Sequence, residues 1–217
     1  MSIKDVLIAL SENAGVSGYE DQIAQLIIDN CPDADQIRRD KLGNLIMLKK
    51  ANVKTEKPPV KVMLAAHMDE IGLMITKIEE TGFLRFAPIG GIDQRVLLGQ
   101  EVEVHGKNKL VGVIGAKPPH IQAPNERESS VAMDQLFIDI GFDSYEEASK
   151  VVSIGDLVTL KRSVVQLQGS YMAGKAMDDR ASVAIMLECL KQLNQLNYSA
   201  DVYAVATVQE EVGIRGA

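Results

Sequence analysis

The chain has 217 residues, enough to bury a substantial core in one large domain or two modest ones. Hydrophobic residues make up 46% and charged residues 24%, which is typical of globular proteins and excludes a disordered or fibrous chain. The net charge of -7, without a stripe of Lys and Arg, argues against nucleic acid as a partner, because neutralising phosphates needs clustered basic residues.

The cysteines and the hydropathy pattern indicate the compartment. Cys31 and Cys189 fall within or beside apolar helical patterns, which predicts core thiols, no disulfide framework and a reducing compartment. The N-terminus lacks the order of charged, apolar and small residues that defines a signal peptide. No stretch approaches the roughly 18 apolar residues that span a bilayer. We therefore expect a cytoplasmic protein that does not enter a membrane.

The N-terminal part of the chain alternates helical and strand patterns. Apolar residues at helical spacing predict one helix over residues 2–13 and a second from about residue 19 to 31. Alternating polar and apolar residues over 35–50, around a turn at Gly43, predict a hairpin. The nearly uninterrupted apolar run 60–66 predicts a strand at the centre of a sheet that is covered on both faces.

Short β-like runs replace this pattern from residue 72 to about residue 160. They are separated by glycine pairs and turns, and they cover residues 73–78, 83–88, 101–105 and 110–114. A proline-containing loop is predicted at 117–130 and a short helix at 144–152. This change of pattern predicts a separate, small β-rich domain.

The α/β pattern returns after about residue 169. It contains a long helix, predicted over residues 179–193, and a buried strand, predicted over 202–207. We therefore expect an α/β domain in two pieces with a β-rich domain inserted between them. The two pieces are residues 1–70 and 165–217, and the insertion is residues 71–164.

Two polar residues follow the strand 60–66. His67 and Asp69 are two positions apart, so both side chains lie on one face if the strand geometry continues. A metal-bound imidazole usually donates its second ring N–H to a carboxylate, and His67 as the ligand with Asp69 behind it fits that arrangement. A histidine hydrogen-bonded to a nearby aspartate without any metal explains the same spacing and, taken alone, is the more frequent case.

Two carboxylates precede the last helix. Asp178 and Asp179 could simply cap it, because carboxylates at a helix N-terminus accept its free N–H groups and are stabilised by the helix dipole. A cap needs only one of the two. The preceding Gly-Lys-Ala-Met segment is unusually small and apolar for a plain helix start, which leaves the other carboxylate available to bridge two cations.

A pair of glutamates stands where the strand 202–207 gives way to a glycine-containing turn. An isolated pair such as Glu210 and Glu211 is most simply a pair of solvated charges. At the carboxyl edge of an α/β sheet, however, both side chains can approach one site. If Glu211 binds a dication, Glu210 could accept a proton from the activated water and return it to a leaving amine.

Three ordered motifs and parts of the predicted insertion together resemble one family. The motifs are Ala65-Ala66-His67-Met68-Asp69-Glu70-Ile71-Gly72, Gly174-Lys175-Ala176-Met177-Asp178-Asp179-Arg180 and Gln209-Glu210-Glu211-Val212-Gly213. The insertion adds Pro88-Ile89-Gly90-Gly91, Lys117-Pro118-Pro119-His120 and Ile138-Asp139-Ile140-Gly141. Essentially the whole chain thus resembles the dinuclear-metal aminopeptidases of the glutamyl and deblocking, or tetrahedral (TET), group, some of whose members are called endoglucanases.

This resemblance implies roles for five residues. By position, His67 binds one of two divalent metal ions, zinc or cobalt, Asp178 bridges both, and Glu211 binds the other. Glu210 becomes the general base. Asp69 becomes the partner that orients His67.

The resemblance also implies an architecture and an assembly. The α/β domain becomes a mixed-sheet metallo-aminopeptidase catalytic domain, and the insertion becomes a PDZ-like β domain that mediates dimerisation. In such relatives six dimers build a hollow tetrahedral dodecamer. A cis peptide bond between Asp178 and Asp179 is a further implication.

Family members supply two more metal ligands, an Asp and a His, after the point that corresponds to Ala217. We therefore interpret the 217 residues as an N-terminal fragment whose catalytic domain is incomplete and which is inactive alone. The strand that precedes Gln209 is then expected to face an open, aggregation-prone sheet edge.

The leading hypothesis is a cytoplasmic metal-dependent aminopeptidase that removes N-terminal residues from peptides, using metal-activated water and a glutamate base. A non-catalytic assembly subunit is the alternative, because of the missing ligands. An endoglucanase would need two carboxylates that flank a sugar bond, and aromatic platforms. With no Trp and 4% aromatic residues, the chain disfavours that function.

Overall fold

The computed structural model describes residues 2–118, 120 and 131–216. The chain divides into two compact units, an α/β unit formed by Met1–Glu70 with Ser163–Ala217 and a β-rich unit formed by Ile71–Arg162. Most of the loop predicted at 117–130 lies outside the described residues.

The regular elements follow the predicted order of helices and strands. In chain order the helices are α1 (Ile3–Glu12), α2 (Asp21–Asp29), α3 (Tyr145–Ala148) and α4 (Met177–Leu193). The strands are β1 (Gln36–Arg39), β2 (Leu45–Lys49), β3 (Val60–His67), β4 (Gly72–Ile78), β5 (Leu84–Ile89), β6 (Glu101–His105), β7 (Lys109–Gly115), β8 (Phe137–Asp139), β9 (Leu157–Leu160), β10 (Val165–Gln166), β11 (Met172–Ala173) and β12 (Ala200–Thr207). The predicted N-terminal helices, the hairpin of β1 and β2, and the last helix and strand are confirmed.

The α/β unit is built on a mixed sheet with the order β1-β2-β12-β3 among the described strands. Strand β2 pairs antiparallel with β1 and with β12. Strand β12 runs parallel to β3, from Ala200 opposite Val60 to Thr207 opposite His67. Because the two strands end side by side, the segments that follow them leave the sheet at the same edge.

The positions of β3 and β12 differ from the sequence prediction. Within the described part of the chain, β3 lies at the edge of the sheet rather than at its centre, and Val60 and Met63 are 70% and 69% exposed. Strand β12 pairs on both sides and buries Ala204 and Ala206 completely. The expectation of an open edge at the strand before Gln209 was therefore wrong. An apolar run does not specify which strands pair with it. That pairing decides whether a strand lies at the centre or at the edge of the sheet.

The core of the α/β unit is formed by buried apolar residues of the helices α1, α2 and α4 and of the strands β2, β3 and β12. Its fully buried members include Leu10, Ile23, Ile27, Leu45, Met47, Val183 and Leu190. Cys31 is buried in this core as predicted, whereas Cys189 is only partly buried. In the described parts of the chain, no helix is both long enough and apolar enough to cross a membrane.

The β-rich unit forms a closed barrel with the strand order β4-β5-β8-β7-β6-β9. Neighbouring strands in the barrel are antiparallel. Alternate residues face inward and form a separate apolar core that includes Leu73, Ile75, Leu84, Val102, Val104, Ile114, Ile138 and Val158. Its PDZ-like character and its role in dimerisation remain predictions.

Candidate metal centre

The polar residues selected from the three motifs meet within the α/β unit. His67 is the last residue of β3, and Glu210 and Glu211 follow shortly after the end of the neighbouring parallel strand β12. Asp178 stands at the start of α4. The shared edge of β3 and β12 explains why residues more than 140 positions apart in the chain lie together.

His67 lies between the carboxylates. Its Nε2 is 3.3 Å from Asp178 Oδ1 and 3.8 Å from Glu210 Oε2. One ligand atom each from His67, Glu210 and Glu211 lie within 4.8 Å of one another. An imidazole nitrogen and hard carboxylate oxygens form a donor set that suits zinc and similar dications. The residues present therefore fit the metal chemistry that the sequence predicted.

Asp69 fixes the orientation of the His67 ring. His67 Nδ1 is 3.1 Å from the carbonyl oxygen of Asp69 and 3.5 Å from its Oδ1. The oxygens of Asp69 on this side can accept a hydrogen bond from Nδ1, and Nε2 faces the carboxylates of Asp178 and Glu210. The Asp69 carboxylate is itself fully buried, and its Oδ2 accepts a hydrogen bond of 2.6 Å from Ser17 Oγ.

The same carboxylate also holds the segment after β12, which the sequence did not indicate. The backbone N–H of Glu210 donates to Asp69 Oδ1 at 3.0 Å, and that of Glu211 donates to Asp69 Oδ2 at 3.2 Å. Residue spacing gave no signal of these bonds, because they join positions 141 and 142 apart. Asp69 therefore positions the histidine and both glutamates at once.

The electrostatics of the centre favour positive charge. The hydrogen bond with Asp69 raises the pKa of His67 to about 9, against the opposing effect of burial. Burial opposes the ionisation of Asp69, but hydrogen bonds from His67 and Ser17 hold its pKa below the usual value. Burial raises the pKa of Glu211, and the neighbouring charge of Glu210 acts in the same direction. Carboxylates that keep a proton on an imidazole also favour the replacement of that proton by a dication.

The start of α4 directs Asp178 towards His67. The peptide bond between Asp178 and Asp179 is cis, as the family resemblance implied. Both residues have non-helical dihedral angles, and Ala176 before them has a φ of 52°. Because the carboxylate of Asp178 lies 3.3 Å from His67 Nε2 and its side chain is 93% exposed, it is available as a ligand rather than used as a helix cap.

A buried ion-pair network lies beside these residues. Glu70 is buried, and Lys175 Nζ contacts its two carboxylate oxygens at 2.7 and 2.9 Å. Arg180 is fully buried and lies 3.5 Å from the same carboxylate. Its guanidinium also donates to the carbonyl oxygens of Leu10, Asn13, Gly15 and Met68. The residue pattern gave no signal of a role for these three charged residues, although each belongs to one of the three motifs.

Comparison with known proteins defines the class. Residues 43–217 match the family model described as M42 glutamyl aminopeptidase. The match covers most of the chain and includes the segments that supply His67, Asp178 and Glu211. The chain belongs to the M42 glutamyl aminopeptidase family.

Individual relatives agree with this class. The chain is 39% identical over 211 residues to lysyl aminopeptidase of Pyrococcus furiosus, covering 95% of this chain and 59% of that relative. It is similar to the structure of a TET aminopeptidase from a marine sediment Thaumarchaeota archaeon, with 35% identity and a TM-score of 0.91, covering 99% of this chain and 60% of that one.

A third comparison is with the TET1 peptidase of Pyrococcus horikoshii, which is described as assembling into a tetrahedron or a large octahedral shell. The identity is 38% and the TM-score 0.87, and the match covers 99% of this chain and 63% of that one. The mixed-sheet α/β fold is thus shared with TET aminopeptidases. The chain spans about 60% of the length of the relatives it matches.

Proposed function

We propose that the protein is a metal-dependent aminopeptidase that hydrolyses the N-terminal residue from peptides. The observation that carries this proposal is the convergence of His67, Asp178, Glu210 and Glu211 at one sheet edge in a member of the M42 family. The activities named for its relatives, lysyl aminopeptidase and TET aminopeptidase, support the reaction class.

Three of these residues would hold two divalent metal ions, zinc or cobalt. His67 would bind one ion through Nε2, Glu211 would bind the other, and Asp178 would bridge them. A bound dication supplies Lewis-acid chemistry, lowering the pKa of a coordinated water and polarising the peptide carbonyl. Asp69 supports this ligand set, since it engages His67 Nδ1 and the backbone N–H of Glu211.

Glu210 would act as the general base. Its side chain is 35% exposed, and its Oε2 lies 3.8 Å from His67 Nε2, so the carboxylate stands beside the donor atoms and can be reached by water. Glu210 accepts one proton from the attacking water as the new C–O bond forms. It then delivers that proton to the amine nitrogen as the C–N bond breaks, which returns the carboxylate to its ionised state.

Replacing Glu210 by Gln in the complete protein tests this function, because the change keeps the size of the side chain and removes its basicity. We expect turnover of an N-terminal amino-acid amide to fall at least about 1,000-fold with the metal content unchanged. Glu211→Gln is the matched control, and in it the metal content itself should fall. Wild-type hydrolysis by the Glu210→Gln protein would rule out the assigned role and, with it, the proposed mechanism.

We also propose a homo-oligomeric state, with dimers formed through the β-rich unit and a dodecamer in the complete protein. The assembly described for the TET1 peptidase supports this, and light scattering on the protein measures it directly. Location in the cytoplasm is part of the same proposal. A purely non-catalytic assembly subunit is less well supported, because such a subunit would not need a base and ligands in this arrangement.

A further inference from the structure

Side chains from distant segments accept hydrogen bonds from four consecutive backbone N–H groups immediately after β12. Val208 donates to Asn44 Oδ1 at 3.0 Å, Gln209 to Glu20 Oε1 at 3.1 Å, Glu210 to Asp69 Oδ1 at 3.0 Å, and Glu211 to Asp69 Oδ2 at 3.2 Å. In a strand or helix, backbone carbonyl groups would satisfy these donors. Here the acceptor side chains fix where the chain turns.

Glu20 is buried at one of these contacts. The residue is 7% exposed and occupies the N-cap position of α2, but in the described structure its side chain makes no capping bond to that helix. Its Oε1 instead accepts the N–H groups of Gly18 at 2.7 Å and Gln209 at 3.1 Å. A buried carboxylate is unfavourable unless it is hydrogen-bonded, so these two donors account for its place in the fold.

Gln209 is the residue at which the chain changes direction. Its φ of 54° lies in the left-handed region, which is unfavourable for a residue other than glycine. The dihedral angles of Gln209 set the direction in which Glu210 and Glu211 leave β12. The bond to Glu20 holds the peptide group on the N-terminal side of this residue.

Asn44 holds both ends of the loop that contains the glutamates. It is 6% exposed, and while its Oδ1 accepts the N–H of Val208, its Nδ2 donates to the carbonyl oxygen of Gly216 at 2.7 Å. Nδ2 also contacts Asp40 Oδ2 at 2.9 Å, which fixes the amide orientation. The loop is closed further by the bond from the Gly216 N–H to the Val208 carbonyl oxygen at 3.1 Å.

We propose that Glu20 and Asn44 are positioning residues for the reaction. They hold the turn of residues 208–211 so that Glu211 can bind the metal ion and Glu210 can contact the attacking water. This inference rests on the proposed function of the two glutamates. Neither Glu20 nor Asn44 supplies a ligand or a proton. Each acts through a backbone N–H of the segment that carries the reacting groups.

The test compares substitutions of Glu20 that keep or remove the acceptor. Glu20→Gln retains a carbonyl oxygen that can accept both N–H bonds, so we expect a kcat within about threefold of the wild type. Glu20→Met fills the same volume without an acceptor, and Glu20→Ala removes the side chain. For both we expect kcat to fall by about 10- to 100-fold, with KM changed much less.

A spectroscopic readout separates positioning from loss of stability. In cobalt-loaded protein, the visible absorption bands report the geometry of the ligands, so they should change in Glu20→Met and return to the wild-type form in Glu20→Gln. Metal affinity should weaken about tenfold in Glu20→Met and Asn44→Ala. Glu56→Ala, in an exposed loop, is the matched control and should change none of these quantities.

The outcomes distinguish this inference from the function on which it rests. Full activity in Glu210→Gln would overturn the proposed function, whatever the Glu20 variants do. If Glu210→Gln is inactive while Glu20→Met and Asn44→Ala keep wild-type kcat, cobalt spectrum and metal affinity, the positioning role is overturned and the function stands. A Glu20→Gln protein as impaired as Glu20→Met would also contradict it, because the acceptor would then not be the relevant property.

Discussion

Asp69 Oδ1 accepts the backbone N–H of Glu210 at 3.0 Å while lying 3.5 Å from Nδ1 of His67. The proposed base and the proposed ligand therefore share one fully buried carboxylate. A displacement of Asp69 moves both groups. We therefore expect a substitution of Asp69 to slow the reaction more than a substitution of a residue that contacts only the metal-binding histidine.

Asp69→Asn should lower both kcat and metal affinity by about 10- to 100-fold. The amide keeps one acceptor oxygen, so either Glu210 or Glu211 loses its backbone hydrogen bond, and His67 loses the charge that favours its basicity. Steady-state kinetics and metal analysis after dialysis measure the two effects. Ser17→Ala, which removes one hydrogen bond to Asp69 and keeps the charge of Asp69, is the control. It should lower kcat and metal affinity only a few-fold. Unchanged metal affinity in Asp69→Asn would contradict the shared role.

The metal-free protein should lose stability as the pH rises through about 9. The hydrogen bond with Asp69 raises the pKa of His67 from 6.5 to about 9, so the folded state holds this proton more tightly than the unfolded state. The stabilisation is complete below pH 6.5 and is lost as the folded histidine deprotonates. Urea unfolding of the wild type and His67→Gln between pH 6 and pH 10 measures it. The stability difference between the two proteins should shrink across this range, and a constant difference would show that His67 does not titrate as described.

The sequence predicted the helices, the strands and the polar residues of the site more accurately than it predicted which elements and side chains lie beside one another. Helical and strand periodicity located α1, α2 and β12, and the order of the motifs led to His67 and Glu211. Hydropathy could not place β3, because an apolar run does not specify which strands pair beside it. The contact of Glu20 with Gln209 spans 189 positions, and no local pattern indicates a bond of that range.

The edge position of β3 predicts self-association of this chain. In the described sheet, β3 pairs only with β12, and its residues Val60, Val62 and Met63 are exposed. An apolar edge strand is a template for pairing with a second chain, and a charge on the strand opposes that pairing. Val62→Lys with Met63→Lys should therefore lower the average mass measured by light scattering at high concentration. An unchanged mass would show that association, if it occurs, uses another surface.

Arg180 should be among the most important single side chains for stability in the α/β unit. Arg180→Met removes the donor from the four carbonyl groups that the guanidinium contacts. In the described structure, it also leaves Lys175 as the remaining charged partner of Glu70. Breaking a buried ion pair from one side typically costs about 3–5 kcal/mol, and denaturant unfolding should show a loss of this size. Arg39→Ala removes an ion pair with Asp21, whose side chain is exposed, and should cost less than about 1 kcal/mol. Equal losses for the two variants would show that burial does not set the contribution of Arg180.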